Sequence, residues 1–306
     1  DGENFLASDI PALLKYTREY SVLDEGEMAV LRPDGIEIYS DLGAPIEKER
    51  LTAAFDEQSA EKGGFPHFML KEIHEQPSAL RATIGPRVEN GLPDLHIDAL
   101  SDDYLRRIEN VHIVACGTAM HAGMVGKTAI EALARIPAFT DTARESRYRD
   151  PILKPDDLVV IISQSGETLD TLAALKLAKQ RGAKTLAVVN VVGSSIARAA
   201  DAVLYTYAGP EIAVASTKAY SVQMAVMYLF ALRLALAKGV RDESEIRYLT
   251  GELMRAGELI RPLLEECENV KFLASRFMNS DHLFFMGRGM DYALSLEGSL
   301  KLKEIS

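Results

Sequence analysis

Residues 111–116, 158–162 and 185–189 form three short runs that are almost wholly apolar, and each opens into a turn rich in small or hydroxylated residues. A strand with one wet face alternates polar and apolar side chains, whereas a strand covered on both faces loses that alternation. Helical stretches at 118–136 and 168–181 separate the runs, and 202–207 reads as a fourth strand. Buried strands alternating with helices of this length specify an α/β domain built on a doubly wound parallel sheet, spanning residues 67–240.

The flanks read differently. Residues 1–55 are β-rich, with a hairpin expected where 28–31 and 35–39 flank Arg32-Pro33-Asp34, and 56–66 carry the polar and glycine signals of a linker. A helix over 68–80 is expected to stop at Pro77. Near the other end, 282–290 with Gly287-Arg288-Gly289, followed by a helix at 291–305, repeats the order strand, glycine turn, helix seen from 111 onward. Residues 241–306 therefore read as the start of a second α/β domain, incomplete as given.

Charge and composition narrow the function classes. The 34 Lys and Arg against 45 Asp and Glu leave a net charge of −11, which opposes a sequence-independent grip on nucleic acid or an anionic membrane. Small anionic ligands stay open, because a local site can oppose the global field. The longest apolar stretch, 222–237, is broken by Gln223 and Arg233 and falls short of the ~20 residues a membrane span needs, so it reads as a buried helix. Cys116 and Cys267 are too few for a disulfide framework, which makes a reducing compartment the default. The N-terminal residues carry no signal-peptide pattern. The six histidines show no metal-ligand spacing and no dinucleotide fingerprint appears, so neither a metal nor a nicotinamide cofactor is expected.

In a doubly wound sheet the ligand crevice lies at the carboxyl ends of the strands. There the second run opens into Ser163-Gln164-Ser165-Gly166-Glu167-Thr168 and then a helix. Helix N-termini offer unpaired N–H groups and a positive dipole end, and three hydroxyls beside them can each donate to one phosphate oxygen. One Ser or Thr alone would read as a helix cap; the whole motif directly after a buried strand favours a phosphate ligand. Gly117-Thr118 and Val214-Ala215-Ser216-Thr217 give further loops on the same edge, Ser216 being a cap, a substrate contact or both. Asn190 to Ser195 is explained by capping. On the last helix Glu297, Lys301 and Glu304 share one face at i, i+4 and i+7. That spacing describes a salt-bridged solvent face as well as it describes an acid/base carboxylate, Glu304, beside a cation, Lys301.

Five motifs together carry a resemblance: Lys71-Glu72-Ile73-His74-Glu75-Gln76-Pro77, Ala115-Cys116-Gly117-Thr118, Ser163 to Thr168, Val214-Ala215-Ser216-Thr217-Lys218, and Glu297-Gly298-Ser299-Leu300-Lys301-Leu302-Lys303-Glu304-Ile305-Ser306. Over essentially its whole length the chain resembles the isomerising glutamine:fructose-6-phosphate amidotransferases, the glucosamine-6-phosphate synthase family, and in particular their sugar isomerase (SIS) domains. The resemblance implies a flavodoxin-like sheet, with Ser163, Gln164, Ser165 and Thr168 holding the sugar phosphate and Thr118, Val214 and Ser216 lining the sugar. It implies that Glu304 shuttles a proton with help from Lys301, and that fructose 6-phosphate is converted to glucosamine 6-phosphate, the first step of hexosamine synthesis, without a cofactor. It further implies that 1–55 are the tail of a glutaminase domain that supplies nitrogen from glutamine, and that the enzyme is a cytoplasmic homodimer. A ring-opening histidine and a C-terminal lysine of the family lie downstream of this sequence. Ala119 departs from the pattern, standing where many relatives carry Ser. Two other readings of the same fold are a non-catalytic sugar-phosphate-binding module and a simple phosphosugar isomerase; the glutaminase-like tail disfavours the second.

Overall fold

The computed structural model describes residues 3–7, 12–13, 16–24, 26–52 and 62–306. Positions 56–61 of the expected linker lie outside the described residues. The chain divides into two compact units, Asp1–Phe68 and Met69–Ser306. In the first, strands Met28–Arg32, Gly35–Tyr39 and Pro45–Ile46 form an antiparallel sheet, and Glu19–Tyr20 pairs with Leu51–Thr52. Arg32 pairs with Gly35, so Pro33 and Asp34 alone make the hairpin turn.

The second unit holds a five-stranded sheet: β1 (Asn110–Ala115), β2 (Ala138–Thr142), β3 (Asp157–Ser163), β4 (Lys184–Val189) and β5 (Ala202–Tyr205). Every pairing is parallel and the order is β2-β1-β3-β4-β5, the flavodoxin-like arrangement whose switch point lies between β1 and β3. All seven residues of β3 are buried. Successive side chains enter opposite cores: Leu158, Val160 and Ile162 join one cluster, Val159 and Ile161 the other. The missing polar alternation in the sequence has its cause in this double cover.

Helices α1 (Phe68–Ile84), α2 (Asp102–Arg107), α3 (Gly117–Leu133), α4 (Ala143–Arg149), α5 (Leu169–Gln180), α6 (Ser195–Ala199), α7 (Lys218–Ala237), α8 (Glu243–Glu265), α9 (Cys267–Phe277) and α10 (Met290–Ile305) complete the unit. By length and composition α7 is apolar enough to cross a membrane, but 72% of its most apolar window is buried inside the fold. It lies against α3, with Met227 over Gly126, and most of its apolar side chains belong to this core.

Two expectations need correction. The first helix does not end at Pro77 but runs through it to Ile84. Proline leaves the carbonyl of Ile73 without its backbone donor, and the Gln76 side chain supplies one instead, Nε2 to the Ile73 oxygen at 2.9 Å. Secondly, 282–290 forms no strand. Leu283, Phe284, Phe285 and Met286 are exposed and no neighbouring strand pairs with them among the described residues. Extended backbone needs such a neighbour to satisfy its N–H and C=O groups. One strand was not anticipated: β2 is an edge strand with little apolar signal and Phe139 half exposed.

Candidate functional site

The carboxyl ends of β1 and β3 face a cleft of about 220 Å³ at the switch point. Thr118, Ser163, Gln164, Ser165, Thr168, Val214, Ser216, Lys301 and Glu304 all border it, so the nine residues singled out in the sequence converge from four separate segments. Cys116, Ala119, Ile162, Thr171 and Gln223 complete the wall.

The β3–α5 loop is shaped by internal bonds. Ser163 Oγ accepts from the Gly166 amide at 3.0 Å and lies 3.3 Å from Thr168 Oγ1, while Ser165 Oγ accepts from the Glu167 amide at 3.2 Å. Gly166 has φ +70°, and a Cβ there would fall 2.0 Å from Ser194 Oγ. Thr168 occupies the N-cap of α5 but makes no side-chain capping bond, so capping does not account for it. Ser194 likewise makes no side-chain cap on α6, which corrects the capping explanation for that loop. Its hydroxyl is buried against Gly166, and Glu167 Oε1 accepts from the Ser195 amide at 2.7 Å. Hydroxyls and the first turn of α5 thus line one wall, the donor set an oxyanion requires.

The opposite wall is α10, whose Glu297 and Lys301 turn inward while Glu304 stays exposed. Glu297 is 5% exposed and accepts from Thr118 Oγ1 at 2.9 Å and from His121 Nδ1 at 2.7 Å. Burial pushes its carboxyl up, yet the bonds from His121 and Thr118, with the charge of Lys301, outweigh this and hold it below its ordinary range. An ionised carboxylate only accepts, so His121 carries its proton on Nδ1. Lys301 Nζ lies 3.4 Å from Glu297 and 2.5 Å from Glu304 Oε2, which places one cation between two carboxylates. The i, i+4, i+7 spacing was legible; the partners on α3, more than 170 residues away, were not.

The third wall is the segment before α7. Glu211 Oε1 accepts from the Thr217 and Ala219 amides at 2.8 and 3.1 Å, and Oε2 accepts from Ser216 Oγ at 2.7 Å. Glu211, not Ser216, therefore caps α7. From α1, Glu72 Oε1 accepts from the Ile212 and Ala213 amides at 2.6 and 3.1 Å, Glu75 pairs with Lys218 Nζ at 2.7 Å, and Gln76 Oε1 accepts from Ser221 Oγ. Burial raises the Glu72 carboxyl, its two amide bonds notwithstanding. The Lys71–Pro77 motif is explained as a brace for the loop that carries Val214 and Ser216.

Outside this cleft, Glu89, Asp94 and His96 come close enough to hold a cation, which the spacing of the histidines had not suggested; the group is largely exposed.

The SIS domain profile matches residues 104–233. The chain is 50% identical over 308 residues to a glutamine–fructose-6-phosphate aminotransferase (isomerising) of Caldanaerobacter subterraneus, covering all of this chain and 50% of that protein. It is 44% identical over 306 residues to the protein of that name from Thermus thermophilus, again spanning 50% of it. The chain thus spans about half the length of the curated relatives it matches. Among solved structures, the C-terminal domain of glucosamine-fructose-6-phosphate aminotransferase from Francisella tularensis superposes with TM-score 0.76 at 38% identity, over 80% of this chain and 69% of that one. A glucosamine-6-phosphate deaminase from Thermotoga maritima shares the fold, with TM-score 0.59 at 22% identity over 78% of this chain and 67% of that one. With that identity and coverage added to the flavodoxin-like sheet and its hydroxyl-lined cleft, the chain belongs to the isomerising glutamine–fructose-6-phosphate aminotransferase family.

Proposed function

We propose that this chain provides the sugar-phosphate half of an enzyme that makes glucosamine 6-phosphate from fructose 6-phosphate and glutamine. The observation that carries it is the meeting of a hydroxyl-rich helix N-terminus and a Glu297–Lys301–Glu304 face across one cleft. In this reading the phosphate docks against Ser163, Gln164, Ser165, Thr168 and the first turn of α5, while Thr118, Val214 and Ser216 line the sugar. Ammonia released from glutamine, in a glutaminase domain whose tail is residues 1–55, condenses with the ketose carbonyl and water leaves. Glu304 then takes the proton from C1 and returns one to C2, converting the ketose imine to the aldose amine. Lys301, held between two carboxylates, is the cation beside the developing negative charge. Residues 67–240 form the first SIS domain and 241–306 open the second. A reducing cytoplasm suits the two unpaired cysteines, and the proposed homodimer rests on family membership alone.

In the full-length protein, Glu304→Gln should lower the isomerising rate by roughly 10²–10⁴-fold while fructose 6-phosphate still binds. A variant that keeps its rate removes Glu304 from the chemistry. The wild type assayed with added ammonia separates the other two readings: glucose 6-phosphate as sole product indicates a simple isomerase, and binding without turnover a non-catalytic module.

A further inference from the structure

The most apolar helix of the fold carries one polar side chain into the cleft. Gln223 lies on α7, 2% exposed, in a stretch where Val222, Ala225, Val226 and Met227 are all buried hydrophobics. Its Oε1 is buried without a hydrogen-bond partner among the described residues. Leaving a buried acceptor unpaired is destabilising, whereas an apolar side chain of the same shape would carry no such penalty. Other buried side-chain oxygens also lack partners, on Glu72, Ser194, Thr217 and Tyr220 among others. Gln223 differs from all of these because it alone also borders the cleft. A wall position on a helix buried this deeply is where an apolar residue is expected, and the amide there remains unexplained by packing.

We infer that Gln223 is a specificity-determining contact for the sugar: its carboxamide hydrogen-bonds a hydroxyl of the bound phosphosugar. The inference rests on the cleft being the sugar-phosphate site proposed above. Gln223 takes no part in proton transfer; its function is to make the cleft distinguish a polyhydroxylated ligand from a bare phosphate. The carboxamide then has its partner only in the complex, so the free protein bears the destabilisation and the complex is relieved of it.

The test is calorimetric titration of the wild type and Gln223→Met, in the full-length protein, with fructose 6-phosphate and separately with inorganic phosphate, alongside the melting temperature of each free protein. Methionine keeps the length of the side chain without its polar atoms. The expected result is about tenfold weaker binding of fructose 6-phosphate, unchanged binding of inorganic phosphate, and a melting temperature equal to or above that of the wild type. Equal affinity of the two proteins for fructose 6-phosphate overturns the inference and leaves the site standing. Parallel weakening toward both ligands, or a lowered melting temperature, also overturns it, since Gln223 would then be shaping the cleft. Failure of the wild type to bind fructose 6-phosphate defeats the site itself, and this inference with it.

Discussion

Glu297 is a carboxylate in nearly dry surroundings, and it stays ionised because of what touches it. Thr118 and His121 donate to its two oxygens and Lys301 adds a charge, so its folded-state pKa lies below that of the unfolded chain. A depressed carboxyl contributes stability above its unfolded value, about 4.3, and loses it as pH falls through the lower folded value. Since these bonds join α10 to α3, amide protection of α10 in hydrogen exchange should hold at pH 6 and fall away below about pH 4. His121→Ala removes one donor from a buried anion, at a cost of about 1–3 kcal/mol, so release should begin at higher pH. His121→Asn keeps a donor and should stay close to the wild type. An unmoved exchange profile in His121→Ala would show that this pairing does not seat α10.

The β3–α5 loop depends on one glycine as much as on its hydroxyls. Gly166 combines φ +70° with a neighbour that leaves no room for a Cβ, Ser194 Oγ at 2.0 Å and Ser194 Cβ at 2.5 Å. Gly166→Ala therefore meets a left-handed backbone penalty of roughly 1–2 kcal/mol and a clash as well. Loss of fructose 6-phosphate binding and a lowered melting temperature are expected. Adding Ser194→Gly removes the clash but not the backbone term, so it should restore part of the stability; no recovery would mean that the contact with Ser194 is not what limits the loop. The serines and the glycine of this loop were legible beforehand, because hydroxyls beside a glycine after a two-face buried strand have few other uses. Other elements were hidden for physical reasons. β2 takes its place from pairing with β1 rather than from its own pattern, α1 continues through Pro77 with Gln76 replacing the lost donor, and 282–290 carries strand signals without a strand among the described residues to pair with. Gln223 passed for an interruption in an apolar helix, Glu211 drew no attention, and Glu72 stood only as one letter of a motif. What each of them touches is set by tertiary contact, and the contacts of Glu72 lie about 140 residues along the chain.

At the scale of the whole molecule, a net charge of −11 repels the dianion that the cleft is proposed to bind. Lys301 is the one cation bordering the cleft among the described residues, and it is shared between Glu297 and Glu304. Attraction at the phosphate must then come from N–H and O–H dipoles at contact distance, which salt screens weakly, while the opposing field is long-ranged and is screened strongly. The screening length contracts from about 30 Å at 0.01 M salt to about 8 Å at 0.15 M. The two effects predict an unusual salt dependence for an anion site. The dissociation constant of this chain for fructose 6-phosphate should stay level or tighten across that range, changing by no more than about threefold. A site held by free lysines or arginines would weaken steadily instead. Titrations in sodium chloride, in a buffer without phosphate, decide between them: progressive weakening with salt would mean that an unpaired cation, rather than the hydroxyl loop and the start of α5, holds the ligand.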